Sequence, residues 1–244
     1  GEDGRPVTRW DGRTMKKSPV TGEDVPDETA VVPLERYVNP RKAEWPEADF
    51  VVGNPPFIGS KRMRESLGDG YVDALQKAWP EIPQATDLVM RWWHHAASLA
   101  EHGAIRRFGL ITTNSLRQAY IRRAVEPHLE GDPPLSLLFA IPDHPWVDST
   151  DGADVRIAMS VGVGGRRTGR LMKVVAEREN SSGDNEEDLV VAMVRQDGRI
   201  NADLTVGVDV TTVRPLKSNA DLCSVGMKTI GAAFQIDHER AVAL

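Results

Sequence analysis

Cysteine and aromatic residues are scarce in this chain of 244 residues, which has one cysteine, Cys223, and 6% aromatic residues. One cysteine excludes an internal disulfide and a cysteine-rich zinc site, and it favours a reducing compartment, the cytoplasm. No apolar run approaches the roughly 18 residues of a membrane-spanning helix, and no signal-peptide pattern opens the chain. The content of 40% hydrophobic and 27% charged residues is typical of a globular protein with a sizeable core.

Positive charge is also in deficit, since the formal net charge is −6. This value argues against a protein that binds nucleic acid by its overall charge. The charge is uneven, however, because residues 102–125 contain five arginines and no acidic residue, whereas residues 184–188 read DNEED. A local basic face on an acidic protein is compatible with duplex DNA as a partner.

Hydrophobic runs and helical patterns alternate after residue 46. ADFVVG at 48–53 lacks polar alternation, as expected for a strand covered on both faces. Further strands are predicted at 105–113, 135–141, 154–164, 170–177 and 188–194, and helices at 61–79 (broken near GDG at 68–70), 87–101 and 115–129. This order predicts an α/β fold, with 154–164 and 170–177 paired as a hairpin at an antiparallel edge of the sheet.

The clearest predicted helix is 87–101, with Thr86 as its N-cap and Gly103 after its end. Its predicted apolar face contains Leu88, Trp92, Ala96 and Leu99. His94 and His95 lie in this helix without other ligands at metal-binding spacing, so core histidines with satisfied hydrogen bonds are the favoured interpretation. No metal site is predicted.

The strand at 48–53 runs directly into GNPPF, residues 53–57. Ligands of α/β sheets bind beyond the carboxyl ends of the strands, so we expect this loop in a site. Asn54 has a side-chain carbonyl and Pro55 a free backbone carbonyl, and the proline rings restrict the movement of both acceptors. Beside the aromatic face of Phe57, these acceptors suit a planar group with an exocyclic NH₂, such as a nucleobase. By itself, NPP is more often a rigid surface turn.

Four segments carry a resemblance that extends beyond this motif. They are DFVVGNPPFIGSKRMR at 49–64, LITTNSLRQ at 110–118, FAIPDHPWVDSTDGADVRIAM at 139–159 and GRINADLTVGVDVT at 198–211. Together they resemble class I DNA methyltransferases that modify the exocyclic amine of adenine, in their MmeI-like branch of fused restriction–modification enzymes. The resemblance implies a Rossmann-like sheet, S-adenosylmethionine as the methyl donor, and adenine N6 in double-stranded DNA as the substrate. It implies a role in restriction–modification or phage defence.

The same resemblance assigns roles to individual residues. It makes Asn54 and the Pro55 carbonyl the acceptors for the adenine amine, Pro56 the residue that keeps the loop rigid, and Phe57 the stacking partner. It places TTNS at 112–115 along the same edge of the site. Further base-pocket candidates are Thr113, Asn114 and, through a loop at 141–149, Trp146. Candidate DNA contacts are Lys61, Arg62, Arg64, Arg117, Arg122 and Arg123.

The Gly-rich cofactor loop of this family, and the acidic residue that holds the cofactor ribose, are not found in the sequence. VGVGGRRTG at 161–169 is predicted to be a hairpin turn, so no cofactor-binding residues are assigned. Because the chain also begins with glycine, we expect an internal segment of a longer enzyme that lacks the N-terminal cofactor-binding strands. The expected organisation is an irregular segment at 1–46, a methyltransferase core at 47–178, and a linker with the start of a target-recognition region at 179–244.

Two alternatives to adenine methylation stay open. An enzyme of the same fold could modify cytosine N4 or a protein amide, although cytosine-N4 enzymes more often have Ser-Pro-Pro at this position. A truncated, non-catalytic segment that binds DNA or another partner would also lack the cofactor loop.

Overall fold

The computed structural model describes residues 7–146, 155–179 and 189–208. The segment before the central sheet, expected to be irregular, contains two small antiparallel ribbons, in which the first strand pairs with the fourth and the second with the third. These strands are β1 (Thr8–Trp10), β2 (Met15–Lys17), β3 (Asp24–Pro26) and β4 (Val31–Pro33).

A six-stranded mixed sheet forms the centre of the fold. Its strands are β5 (Phe50–Gly53), β6 (Arg107–Thr113), β7 (Leu135–Trp146), β8 (Val155–Gly164), β9 (Gly169–Glu179) and β10 (Leu189–Gly198). Their order is β10-β9-β7-β8-β6-β5. β5 is parallel to β6 and β7 is parallel to β9, while the other neighbours are antiparallel. The predicted α/β class and all six predicted strands are confirmed.

The predicted hairpin between 154–164 and 170–177 is wrong, because β7 lies between β8 and β9. The connection at 165–168 crosses the beginning of β7, where the Ser136 hydroxyl donates to Gly165 O at 2.8 Å and accepts from Arg167 N at 2.9 Å. A Cβ atom at Gly169 would lie 2.1 Å from the backbone oxygen of Leu137, so glycine lets β9 begin beside β7. The antiparallel edge of the sheet is instead formed by β9 and β10.

Helices and one short 3₁₀ turn connect these strands. They are α1 (Ser60–Leu67), α2 (Asp69–Ala78), α3 (Met90–Glu101), the 3₁₀ turn Asn114–Arg117, α4 (Ala119–Arg122) and α5 (Glu126–Glu130). The predicted break near 68–70 is confirmed, since Gly68 has a φ of 82° between α1 and α2. The single helix predicted at 115–129 is wrong. Gln118 is extended, and Pro127, which has no N–H, fits only the first turn of α5.

The buried face of helix α3 is shifted from the predicted one, because Ala96 is buried as predicted whereas Trp92 and Leu99 are only partly buried. Trp93, rather than Trp92, is fully buried, and its Nε1 donates to Ser160 Oγ on β8 at 3.1 Å. Thr86 is not an N-cap, because α3 begins at Met90 and the Thr86 hydroxyl donates to Pro83 O at 2.8 Å. The left-handed conformation of Gly103 after the helix is as expected, with a φ of 73°. The buried residues of α3 are Met90, Arg91, Trp93, Ala96, Ala97 and Ala100.

Strand β5 is not covered on both faces, as its unbroken apolar run suggested. Val52 is 84% exposed and Phe50 is 54% exposed, because β5 is the terminal strand of the sheet and no described residue covers that face. The Arg106 guanidinium lies 5.6 Å from the centre of the Phe50 ring. None of the helices in the described residues is both long enough and apolar enough to cross a membrane.

Candidate active site

The carboxyl ends of β5 and β6 bring the two polar segments singled out in the sequence to one edge of the sheet. The strands are parallel, and Gly53 lies opposite Leu110. The motif loop, residues 54–57, therefore leaves the sheet beside the last residues of β6, and the TTNS segment follows at the same edge. The juxtaposition expected from the α/β pattern is present.

The motif loop combines an exposed amide with an apolar anchor. Asn54 and Pro56 are exposed, whereas Pro55 is buried and Phe57 is half-buried against the main hydrophobic core. In the part of the chain that the structure describes, no hydrogen bond engages the Asn54 side chain or the Pro55 carbonyl. Two acceptors without a hydrogen-bond partner among the described residues thus lie on a loop whose movement is limited by the prolines and by the packed ring.

A buried carboxylate, Asp87, connects the motif loop to the end of β6. Asp87 is 8% exposed, and its Oδ2 accepts hydrogen bonds from Ser115 Oγ at 2.7 Å and from Thr113 Oγ1 at 3.0 Å. The next residue, Leu88, donates its N–H to Ile58 O at 2.9 Å, which attaches the same turn to the loop. Asp87 therefore fixes the two segments relative to each other.

The sequence did not identify Asp87 as a site residue. A sequence signal for it is a carboxylate before a helix, followed by two hydroxyl residues at the end of the next strand. Tyr120 lies in the same electrostatic environment. Burial and the charge of Asp87 raise the pKa of the Tyr120 hydroxyl.

A second polar chain continues from β6 toward the other half of the sheet. Asn114 Nδ2 donates to Asp143 Oδ1 on β7 at 3.2 Å, and Arg156 Nε donates to the same oxygen at 2.5 Å. Arg156 also pairs with Glu177 on β9 at 2.7 Å, and these two carboxylates raise its pKa. The Asn114 amide is therefore turned toward β7, where Arg156 pairs with both Asp143 and Glu177.

Trp146 lies at the end of a strand rather than in the loop that the sequence suggested. Residues 141–146 belong to β7 rather than to a loop, because they continue the antiparallel pairing with β8 as far as Trp146 and Val155. Trp146 is the last residue of that strand and is 40% exposed. Residues 147–149 of the predicted loop lie outside the described residues.

The basic residues proposed to contact DNA differ in exposure and in ion pairing. Lys61 and Arg62 are exposed at the beginning of α1, directly after the motif loop. Arg64 pairs with Asp69 at 3.2 Å and with Asp73 at 2.8 Å, so its charge is compensated within the protein. The remaining candidates are Arg117, which lines a cavity of about 550 Å³, the half-buried Arg122 and the exposed Arg123.

Of the two histidines of α3, His94 has hydrogen-bond partners, as expected, whereas His95 has only aromatic contacts among the described residues. His94 Nδ1 contacts His128 Nε2 at 2.7 Å, and its Nε2 contacts Glu81 at 3.1 Å. His95 packs edge to face against Trp45, with ring centres 4.4 Å apart. Within the described ranges, no three His, Cys, Asp or Glu side chains are grouped closely enough to hold a metal ion.

The comparison with known protein families agrees with the resemblance inferred from the motif at the end of β5. The sequence model of the MmeI DNA-methyltransferase domain matches residues 21–173. The chain belongs to this family. The match includes β5, the motif loop, β6, Asp87 and β8, so the edge of the sheet described above lies entirely within the methyltransferase domain.

Solved structures of similar proteins come from restriction–modification systems. A structure of the type IIL restriction–modification enzyme MmeI in complex with DNA has a TM-score of 0.48 and 23% identity, and the alignment covers 66% of this chain and 20% of that one. A modification subunit of a putative type I restriction enzyme from Vibrio vulnificus has a TM-score of 0.38 and 17% identity, covering 52% and 25%. The chain thus spans about a fifth of the MmeI polypeptide. A comparison with curated proteins gave no match.

Proposed function

We propose that this MmeI-type domain holds adenine N6 of double-stranded DNA for methylation by S-adenosylmethionine in a restriction–modification enzyme. The observation that carries the proposal is the pair of unengaged acceptors, Asn54 Oδ1 and the Pro55 carbonyl, at the carboxyl end of β5. They stand on a loop fixed by Pro56 and beside the ring of Phe57. The family membership supports DNA as the substrate.

The two acceptors can activate the amine without a strong base. When Asn54 Oδ1 and the Pro55 carbonyl accept hydrogen bonds from the two N–H groups of the amine, the nitrogen lone pair is drawn away from conjugation with the purine ring. The nitrogen then becomes nucleophilic enough to attack an electrophilic methyl group, and the alkylated amine is acidic enough to lose its proton. The rate would arise from positioning and from electrostatic stabilisation.

Phe57 provides the surface on which an extrahelical base can rest. Stacking of a base on an aromatic side chain contributes about 1–3 kcal/mol, which is comparable to the few kcal/mol that extrusion of a base from the duplex costs. Since Phe57 is packed against the core on one side, its position is set before the base arrives. Thr113 and Asn114 bound the same edge, and we propose them as further contacts for the base.

The described residues provide the base-binding part of a site that uses S-adenosylmethionine, but not the part that binds the cofactor. The bound cofactor would supply the methyl group beside the amine, which the motif loop can hold. In the described part of the chain, no Gly-rich loop joins a parallel strand to a helix, and Phe50 and Val52 leave one face of β5 open. We therefore assign base binding to this chain and no residue to the methionine or ribose of the cofactor.

The domain organisation that we propose follows from the same assignment. Residues 1–46 lead into the core, residues 47–178 form the methyltransferase core, and residues 179–244 form a linker and the start of a target-recognition region within a longer polypeptide. The family match over 21–173 spans most of the proposed core. Lys61 and Arg62, exposed beside the motif loop, are the best-placed candidates for phosphate contacts.

The deciding experiment identifies the methylated base. The full-length protein that contains this domain is incubated with duplex DNA and S-adenosylmethionine labelled in the methyl group, and the DNA is digested to nucleosides for chromatography. We expect the label in N6-methyl-2′-deoxyadenosine. Label in N4-methyl-2′-deoxycytidine would show that cytosine is the substrate instead of adenine, and no label in DNA would contradict the proposal.

A further inference from the structure

A cavity of about 340 Å³ lies between α2, α3 and the segment at 37–45, away from the motif loop. Its volume is at the lower end of the range for small-molecule sites. None of the described lining residues is acidic, whereas Arg41, Arg91 and His95 are basic. The aromatic lining residues are Tyr37, Trp45, Tyr71, Trp79, Trp92 and His95.

Arg91 is the unusual residue of this cavity. It is 3% exposed, and its buried Nε and Nη1 atoms have no hydrogen-bond partner in the described chain. Burial lowers the pKa of the guanidinium, and no carboxylate offsets that effect. Guanidinium has donors only, and an unpaired buried charge is strongly unfavourable. An anion bound in the cavity would therefore lower the free-energy cost of the unpaired charge of Arg91.

The aromatic walls around Arg91 are held in place by their own contacts. Trp79 and Trp45 pack edge to face on His95, with ring centres 5.4 Å and 4.4 Å apart. Tyr37 and Tyr71 are exposed and pack edge to face at 5.8 Å, so they form the rim. The cavity is thus a preformed aromatic slot with a buried cation, which suits a flat apolar body that has one negative group.

We propose that this cavity binds a small aromatic carboxylate, whose carboxylate pairs with Arg91 and whose ring lies among the tryptophans. A carboxylate in the cavity can pair with the Arg91 guanidinium, which lines it, and charge-assisted hydrogen bonds of this kind are the strong ones. The ring of the ligand buries apolar surface against Trp45, Trp79 and Trp92, which favours binding. This site is separate from the motif loop, so the proposal does not depend on methyl transfer.

Benzoate is a suitable probe, with benzamide as its neutral counterpart of nearly the same shape. Binding to the 244-residue chain is measured by calorimetry and by the fluorescence of the lining tryptophans. We expect saturable binding of benzoate, and at least about tenfold weaker binding of benzamide, since the charge-assisted hydrogen bonds are lost. Equal affinity for the two compounds, or no saturable binding of benzoate up to about 10 mM, would overturn the proposal.

Two substitutions separate the charge of the site from its shape. Arg91→Met removes the cation and should weaken benzoate binding by about 10- to 100-fold. Ala78→Leu fills space on the α2 wall without changing any charge, and it should also weaken benzoate binding. Arg166→Met, at an exposed position outside the cavity, is the matched control and should bind benzoate like the wild-type chain.

Thermal unfolding distinguishes a ligand site from a structural arginine. Without ligand, Arg91→Met should unfold at the same temperature as the wild-type chain or at a higher one, because an uncompensated buried charge has been removed. Benzoate should raise the unfolding temperature of the wild-type chain only. A lower unfolding temperature for Arg91→Met without ligand would show that Arg91 stabilises the fold, and it would overturn the proposal, as would unchanged benzoate binding by this variant.

Discussion

Two polar clusters at helix α3 differ in whether their members already have partners. The motif cluster joins the loop after β5 to the end of β6, and the histidine cluster joins α3 to α5. Their members are Asn54, Asp87, Thr113 and Ser115 for the motif cluster, and Glu81, His94, Glu101 and His128 for the histidine cluster.

In the histidine cluster, every ring nitrogen of His94 and His128 faces a partner. His128 contacts Glu101 at 2.6 Å and His94 at 2.7 Å, and Glu81 in turn pairs with Lys42. In the motif cluster, Asp87 is equally well bonded, but Asn54 is exposed and unengaged among the described residues. The histidine cluster therefore stabilises the fold, while the motif cluster contains one well-bonded carboxylate and one free amide.

The largest effect is expected from the free amide of the motif cluster. Asn54→Ala in the full-length protein should reduce methyl transfer to duplex DNA by about 100- to 1,000-fold, the usual loss when one positioned catalytic hydrogen-bonding group is removed. DNA affinity should change little, because phosphate contacts dominate it. Asn54→Asp keeps an acceptor oxygen and should retain more activity than the alanine variant. Wild-type activity in Asn54→Ala would refute the role given to this residue.

A smaller loss of methyl transfer is expected when the aromatic ring of Phe57 is removed. Phe57→Leu preserves an apolar contact with the core but removes the stacking surface, which contributes about 1–3 kcal/mol per base. Methyl transfer should fall by about 10- to 100-fold. Phe57→Tyr, which keeps the ring, is the control. If Phe57→Leu and Phe57→Tyr were equally active, stacking on this residue would not contribute.

Asp87 tests the stabilised half of the motif cluster. Asp87→Ala leaves the hydroxyls of Thr113 and Ser115 without their acceptor, and it should lower the free energy of unfolding by about 1–3 kcal/mol. Urea denaturation of the 244-residue chain measures this change. Asp73→Ala removes an exposed carboxylate paired with Arg64 and should cost at most about 1 kcal/mol. Equal destabilisation by the two substitutions would contradict the anchoring role of Asp87.

The smallest effect is expected from the histidine cluster, as a dependence of stability on pH. Burial lowers the pKa values of His94 and His128, although Glu81 and Glu101 oppose it. The unfolded chain then binds more protons below about pH 6.5, so the free energy of unfolding should fall as the pH falls below that value.

Denaturation of the wild-type chain and of two variants checks this dependence. His128→Gln cannot titrate and should show a weaker decline in stability between about pH 7 and pH 5.5. The exposed His102 is the control, and His102→Gln should decline like the wild-type chain. A decline in His128→Gln as steep as in the wild-type chain would show that this histidine does not contribute to the pH dependence.

The strands were predictable because they are continuous apolar runs separated by turn residues, and the break at Gly68 because glycine accepts a positive φ. Their pairing was not predictable in the same way. A local pattern shows that 154–164 and 170–177 are extended, but it does not show that β7 separates them. Likewise, α3 is apolar on two faces, and the sequence pattern predicted that Trp92 faces the core. Packing on β8 instead buries Trp93.

The motif loop and its chemistry could be predicted from the amino-acid sequence alone. An apolar strand followed by Asn-Pro-Pro-Phe has a restricted backbone, two acceptors and a ring, because proline limits φ wherever it occurs. Its neighbours were decided by tertiary structure, since Asp87, Thr113 and Ser115 are distant in sequence and meet only when β5 and β6 align in parallel. The buried Arg91 is decided in the same way, because the packing of α2, α3 and the 37–45 segment leaves its guanidinium inside an aromatic cavity.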